Sequence, residues 1–251
     1  MIISIEPLWI GLGLAALGSI AVRVLGQGTW GAALAGFAVA AAMVAGFGPG
    51  IMAPLALFVL GAGGLTRLGR ATKESKHAAE RNQGRRGIAH VLAKLGIPAA
   101  LGAVAAVSAE SRGWCAVAAA GALAGAFADT AATEVGPLAP GAVYQWRGAR
   151  LVRAPHGSPG GMSVAGLLAG AAAAVAVGLA AWWCGVVTNG AASGAVAASG
   201  YAASLIESVV GASVVGERIG HFGRNVLVSA LSAGLAAATA WGIAGGGLVH
   251  G

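Results

Sequence analysis

Of 251 residues only 9% are charged and 57% are hydrophobic, with a mean hydropathy of +0.81 and a net charge of +7. A soluble domain carries roughly 25% charged residues, so this composition excludes a water-soluble globular protein and marks an integral membrane one. The basic excess lies in segments between apolar runs, where membrane topology explains most of it; nucleic acid is not an expected partner.

Apolar runs long enough to cross a bilayer, about 15 to 25 residues, are predicted in chain order at Leu8–Val22, Trp30–Phe47, Ile51–Leu65, Leu95–Ala109, Trp114–Thr133, Met162–Cys184, Gly190–Val215 and Val226–Val249. The third and fourth are short enough to be tilted or re-entrant, which leaves seven spans as the alternative to eight. The first run lacks the basic flank of a signal peptide and is expected to stay on the protein. Abundant Ala and 44 Gly let helices approach closely, since lipid offers no hydrophobic drive for one helix to seek another. The expected fold is all-α: a polytopic transmembrane helical bundle in one domain over residues 1–251, with cytosolic basic loops at 66–94 and 136–161.

Placing Thr66 to Lys94 in the cytosol and alternating outward puts 14 of the 15 Lys and Arg inside, leaving only Arg112 outside. The positive-inside tendency then predicts both termini outside, in the setting of a bacterial inner membrane, with one cytosolic face that collects nearly every ionisable group.

Four stretches are candidates for chemistry. The first, GGLTRLGRATKESKHAAERNQGRRGIAHVLAK (Gly63–Lys94), has eight basic and two acidic residues. Its NQGRRG run reads as a turn presenting Arg85 and Arg86 beside Asn82, with Thr66 and Lys73 upstream. Guanidiniums suit bidentate phosphate contacts and ammoniums point-charge ones; the plainer reading is a polybasic loop serving topology or anionic lipid. The second, FADTAATEVG, places Asp129 and Glu134 near the end of the fifth run. On a helix Asp129 shares a face with Thr133, and Thr130 with Glu134, so two acid–hydroxyl pairs are expected. Such oxygens suit Mg²⁺, although acids at a helix end also pair with loop arginines or reach water.

The third stretch, RAPHGSPGGMSVAG (Arg153–Gly166), is a Gly-rich turn leading into the sixth run. A helix N-terminus offers free N–H groups to an anion, with Gly160, Gly161 and Ser163 as candidates; a helix cap from Ser158 or Ser163 is the alternative. The Lys-Ser/Thr pair of a P-loop is missing. The fourth, SLIESVVGASVVGERIGHFGRN (Ser204–Asn225), embeds Glu207 in the seventh run, and Glu207-Ser208 echoes Asp129-Thr130. An ionisable residue inside an apolar run is a functional candidate by default, the alternative being a bond to a neighbouring helix. Cys115 and Cys184 fall at outer ends, as two small helix-end residues or as a disulfide on the oxidising side.

GGLTRLGRATK with NQGRRG and VLA, then ADTAATEVGPL, GSPGGMSVAG and SLIESVVGAS together resemble the integral-membrane family of unknown function ninety-two. Its relatives include transmembrane protein nineteen and the plant and cyanobacterial phytyl-phosphate kinases. Asp129, Thr130, Thr133, Glu134 and Gly136 match the family's Ala-Asp-Thr-x-Ala-Thr-Glu-x-Gly motif, and Gly160, Gly161 and Ser163 its Gly-Gly-x-Ser. The arrangement also looks like the CTP-dependent kinases of membrane lipid alcohols. Departures are Glu207-Ser208 where the family has Asp-Ser, Lys94 where Asn usually follows VLA, and NVLVS, which retains only Asn225 of a late Asn-Asp-x-Val-Asn signature.

The resemblance implies a membrane kinase that passes the γ-phosphoryl of a nucleoside triphosphate, CTP, to a prenyl monophosphate such as phytyl phosphate. On that expectation Asp129, Lys73 and Arg86 are catalytic, and Arg85, Asn82, Thr66, Gly160, Gly161 and Ser163 bind phosphate. Mg²⁺ would sit on Asp129, Glu134 and Glu207. The rival is a transporter or flippase for a lipid phosphate or small anion, which is built with acids near the bilayer midplane and Gly-rich breaks. Asp129 and Glu134 at one edge, with only Glu207 expected deeper, favour the enzyme.

Overall fold

The structure, a computed structural model, describes residues 5–76 and 87–244. In chain order the helices are α1 (Ile5–Val24), α2 (Trp30–Phe47), α3 (Met52–Arg67), α4 (Arg70–Ser75), α5 (Ile88–Val107), α6 (Arg112–Val135), α7 (Val164–Trp183), α8 (Gly190–Gly211) and α9 (Val214–Ala244). Caps mark several starts. Thr29 accepts from the Ala32 amide before α2, Ser163 from Gly166 before α7, and Asn189 from Ala192 before α8, each satisfying an amide the helix leaves unpaired. Gly220, at φ 61°, breaks α9 into a short first segment and a long second one.

Helix α6 is the axis of the bundle. Of its 24 residues 13 are Ala or Gly, and it is buried continuously from Cys115 to Ala128. It packs against α3, α5, α7, α8 and α9. A helix apolar on all sides is buried on all sides, and its small side chains let five neighbours come close. A Cβ on Gly200 of α8 would lie 2.7 Å from the Gly125 amide nitrogen, and one on Gly170 of α7 would lie 3.1 Å from the Ala128 carbonyl. Bulky side chains point outward instead: Trp9, Leu34, Leu168, Trp183 and Trp241 are exposed, as expected of a surface meeting lipid.

Among the described residues seven helices are long and apolar enough to cross a membrane. Helix α8 is equally long at 22 residues but less apolar, because Ser193, Ser199, Ser204 and Glu207 are buried in it against its neighbours. With it the chain traverses the bundle eight times and its links alternate between two ends. At one end Arg67 donates to the Leu25 carbonyl, Lys76 to Pro137 at 2.6 Å, and Gly160 lies on the end of α8. At the other end Gly50 touches Cys184.

The first end carries all the described Lys and Arg except Arg112 and is called the basic end below. The link after α6, expected to be a plain loop, contains a hairpin of β1 (Val143–Arg147) and β2 (Arg150–Ala154). The cysteines are unpaired, Cys115 buried and Cys184 exposed.

Candidate active site

The basic end of α6 delivers two carboxylates to different partners. Glu134 is buried, with Oε1 accepting from Thr66 Oγ1 at 2.7 Å and Oε2 facing Lys73 Nζ at 2.5 Å. Lys73 reaches it because Gly69, in the left-handed region at φ 59°, turns the chain back from α3 into α4. The same ammonium donates to the Leu65 and Thr66 carbonyls at 2.6 and 3.3 Å, capping the last turn of α3, where a cation also meets the negative end of the helix dipole. Lys73 is 1% exposed. It was expected to face nucleotide phosphates; the structure commits it to an internal ion pair, and it occupies both oxygens of Glu134 together with Thr66.

Asp129, one and a half turns deeper, meets Lys94 Nζ at 3.1 Å through Oδ2, while its other oxygen takes no hydrogen bond among the described residues. Lys94 is buried, and it also donates to Thr130 Oγ1 at 2.8 Å and, at 3.5 Å, to the Ala126 carbonyl. The sequence reading placed Lys94 at the edge of a loop. It belongs to α5, which begins at Ile88 and carries this charge into the bundle. The expected acid–hydroxyl pairs are not formed: Thr133 donates to the Asp129 and Thr130 carbonyls, and Thr130 to the Ala126 carbonyl. A short hydroxyl on a helix finds its own backbone more easily than a carboxylate one turn away.

Glu207 forms the third pair, 3.4 Å from Arg224 Nη1. Helix α8 ends at Gly211, so Glu207 lies one turn from the basic end and is no deeper than Asp129. Both acids therefore gather at the same edge. Glu207 and Arg224 thus form a second carboxylate–cation pair at the same end of the bundle as Asp129 and Lys94. Its outer wall is the Gly-rich turn. A Cβ on Gly211 would lie 3.0 Å from Arg224 Nη1, 3.2 Å from Glu207 Oε1 and 3.3 Å from the Gly160 nitrogen.

Gly160, at φ 69°, needs glycine for its conformation and for its approach to α8, where a Cβ would lie 2.6 Å from the Ala212 nitrogen. The Gly161 amide is already bonded to the Ser158 carbonyl, and Ser163 is the α7 cap. Gln145 Nε2 holds the turn by donating to the Pro159 carbonyl at 2.8 Å. The echo between Asp129-Thr130 and Glu207-Ser208 is physical: each acid pairs with a cation from another helix, and each hydroxyl bonds back to the carbonyl four residues earlier.

With this geometry established, the family description "Integral membrane protein DUF92" matches residues 11–244. The chain belongs to that family. No curated protein and no solved structure gives a match. The match covers every stretch described above, including the departures at Lys94 and Glu207.

Arg85, Arg86 and Asn82 lie outside the described residues. Of the remaining expected site residues, Asp129, Glu207 and Gly160 come together, whereas Thr66, Lys73 and Glu134 form a separate lock beside them. Sequence reasoning missed Lys94 and Arg224 as partners, counting them only for topology. The available signal was that a carboxylate inside a membrane requires a cation, and each acid-bearing helix had one such residue on a following or preceding helix. Among the described residues no three His, Cys, Asp or Glu side chains gather as a metal cage. The three-carboxylate clamp expected of Asp129, Glu134 and Glu207 is not assembled: each acid is paired with a cation from another element.

Proposed function

We propose that the protein is a membrane phosphotransferase that moves the γ-phosphoryl of a nucleoside triphosphate, CTP by resemblance, to a prenyl monophosphate such as phytyl phosphate. The observation that supports it is the two ion pairs Asp129–Lys94 and Glu207–Arg224 at one end of the bundle, in which, among the described residues, one Asp129 oxygen and the buried Arg224 Nε have no hydrogen-bond partner. One open acceptor and one open donor within a set of balanced charges suit a ligand that brings both a phosphate and a divalent cation.

In the reaction an oxygen of the acceptor phosphate forms a bond to the γ-phosphorus, the bond from that phosphorus to the β,γ-bridging oxygen breaks, and the nucleoside diphosphate leaves with the electron pair. No proton has to be removed from an acceptor that is already an anion, which agrees with a site built without a catalytic histidine. Positioning and charge stabilisation supply most of the catalysis in such transfers. Asp129, with Glu207 at the same end of the bundle, would hold Mg²⁺, whose contribution is to neutralise phosphate oxygens. Lys94 and Arg224 orient and neutralise phosphate groups, and the Gly160 turn closes the site against α8. Gathering of all three acids at one edge of the bundle favours this reading over a transporter. The active face is then cytosolic, in a bacterial inner membrane with both termini outside.

The test is transfer of labelled γ-phosphate from CTP, ATP and GTP to phytyl or geranylgeranyl monophosphate by detergent-purified protein with Mg²⁺. Asp129→Asn is expected to lower turnover by about 10²–10³, the scale of losing one transition-state electrostatic group. No diphosphate from any nucleotide, with folded protein, overturns the proposal.

A further inference from the structure

A cavity of about 140 Å³ lies between α1, α2, α3 and α5, on the side of α5 from which Lys94 reaches Asp129. Its walls are apolar and built largely from small or aliphatic side chains, among them Ala15, Gly36, Ala40, Leu55 and Val91. Along α2 it runs from Ala32 to Ala40, about 12 Å at the helical rise.

Apart from Ser19 within α1, its polar groups lie at the basic end: Gln27 in the link between α1 and α2, His90 in the first turn of α5, and Lys94. Gln27 is 6% exposed, and its Oε1 has no hydrogen-bond partner among the described residues. Leaving such a group unsatisfied is costly unless a ligand or water completes it.

The cavity also has a side door. A groove between α1 and the start of α3, lined by Leu14, Pro49 and Cys184, shares Gly18, Met52 and Ala56 with it. Helix α1 is the outer wall, exposed along most of its length. The opening therefore faces the region where lipid lies. A nucleotide, whose base and ribose need polar contacts, has no partners on these walls. A single hydrocarbon chain with an anionic head matches them in order: apolar along the length, then the Lys94 cation, while the orphaned Gln27 oxygen, an acceptor, calls for a donor such as water.

We propose that this cavity receives the phosphate-proximal part of the acceptor's hydrocarbon chain, the remainder passing through the groove between α1 and α3 into the bilayer, so that its phosphate stops against Lys94 beside Asp129. The inference rests on Asp129 as the centre of phosphoryl transfer, and it adds which side of the bundle the lipid enters from and which residues line its path. Lys94 then serves both partners, holding Asp129 with one donor and the phosphate with the donor now at 3.5 Å from the Ala126 carbonyl. Small residues at Gly18 and Gly36 keep the berth open. A Cβ at Gly18 meets no atom within 4 Å, and one at Gly36 meets only Ser19 Oγ at 4.0 Å, so larger side chains there fill the cavity without displacing the fold.

The probe is geranylgeranyl monophosphate carrying a diazirine in its second isoprene unit, photolysed with the full-length protein in lipid nanodiscs and mapped by mass spectrometry. Labels are expected on residues of α1, α2 and α3 such as Ala15, Ala40 and Met52. Unlabelled geranylgeranyl monophosphate should compete them away better than geranylgeraniol does. Gly18→Phe and Gly36→Leu are expected to lower labelling about tenfold or more, because excluded methylenes lose their burial. Gly13→Phe, on α1 but outside the cavity and equally unobstructed, should leave labelling unchanged. Labelling on α7 to α9, labelling unaffected by Gly18→Phe, or no competable labelling overturns the inference even if the protein transfers phosphate. Labelling at the expected positions without phosphoryl transfer would uphold the cavity and sink the kinase reading instead.

Discussion

Replacing Lys73 with methionine tests whether this residue is a lock within the fold. The change removes an ammonium that faces Glu134 Oε2 at 2.5 Å and donates to the Leu65 and Thr66 carbonyls at 2.6 and 3.3 Å. Glu134 is left buried with a single bond from Thr66. Removing one partner of a buried ion pair costs about 3–5 kcal/mol, or roughly 10²- to 10⁴-fold in the unfolding equilibrium at about 1.4 kcal/mol per decade.

The double variant Lys73→Met with Glu134→Leu removes both charges, and apolar replacement of a whole buried pair is often neutral. Thr66 keeps its bond to the Ala62 carbonyl at 2.9 Å, so only the two α3 carbonyls lose a donor, about 1–3 kcal/mol for a group left unsatisfied. The double variant is therefore expected to recover at least part of the single variant's loss. Equilibrium unfolding in mixed micelles with increasing SDS, followed by tryptophan fluorescence, measures both. A single variant within about 1 kcal/mol of the parent, or a double variant as unstable as the two single changes summed, would refute the reasoning. A folded double variant that has lost all phosphoryl transfer would show that Lys73 or Glu134 touches substrate.

Ser163→Ala should destabilise the α7 start by about 1 kcal/mol, through loss of the cap to Gly166, while Ser163→Asp retains it; the same SDS titration reads the difference. Gly160→Ala should reduce transfer activity more than it reduces stability, because a left-handed turn that must lie on α8 is forced away from the Glu207–Arg224 pair; turnover beside the unfolding midpoint checks this. Gly166→Leu places a Cβ 2.8 Å from the Ala132 carbonyl, so α7 must move off α6. The expected result is loss of monodisperse protein on size-exclusion chromatography. Chelation of Mg²⁺ with EDTA should abolish transfer yet leave the unfolding midpoint unchanged, since the charged pairs are satisfied by protein groups alone.

The helices were legible because each is a run of apolar residues of membrane length. Helix α2 matches its predicted bounds, and α3, α6, α7 and α8 begin within a few residues of theirs. Helix α5 was truncated because hydropathy stops at a charge. Lys94 looked like a loop residue until a neighbouring helix supplied Asp129 and Thr130. The hairpin was not legible because Val-Tyr-Gln-Trp-Arg and Arg-Leu-Val-Arg-Ala each carry two adjacent apolar or aromatic residues and so lack the strict alternation of a strand, leaving Gly148, at φ 60°, as the one turn signal in a basic link.

Composition and order of residues alone determined a membrane protein of small-residue helices and its family, because burial in lipid and close helix approach are properties of local residue type. Partner choice among the charges was decided only by tertiary packing. Asp129 and Glu134 lie five residues apart on one helix, yet α5 claims the first and the α3–α4 turn the second. A charge inside a bundle is neutralised by whichever helix passes within a few ångströms, and that distance is not written in either segment.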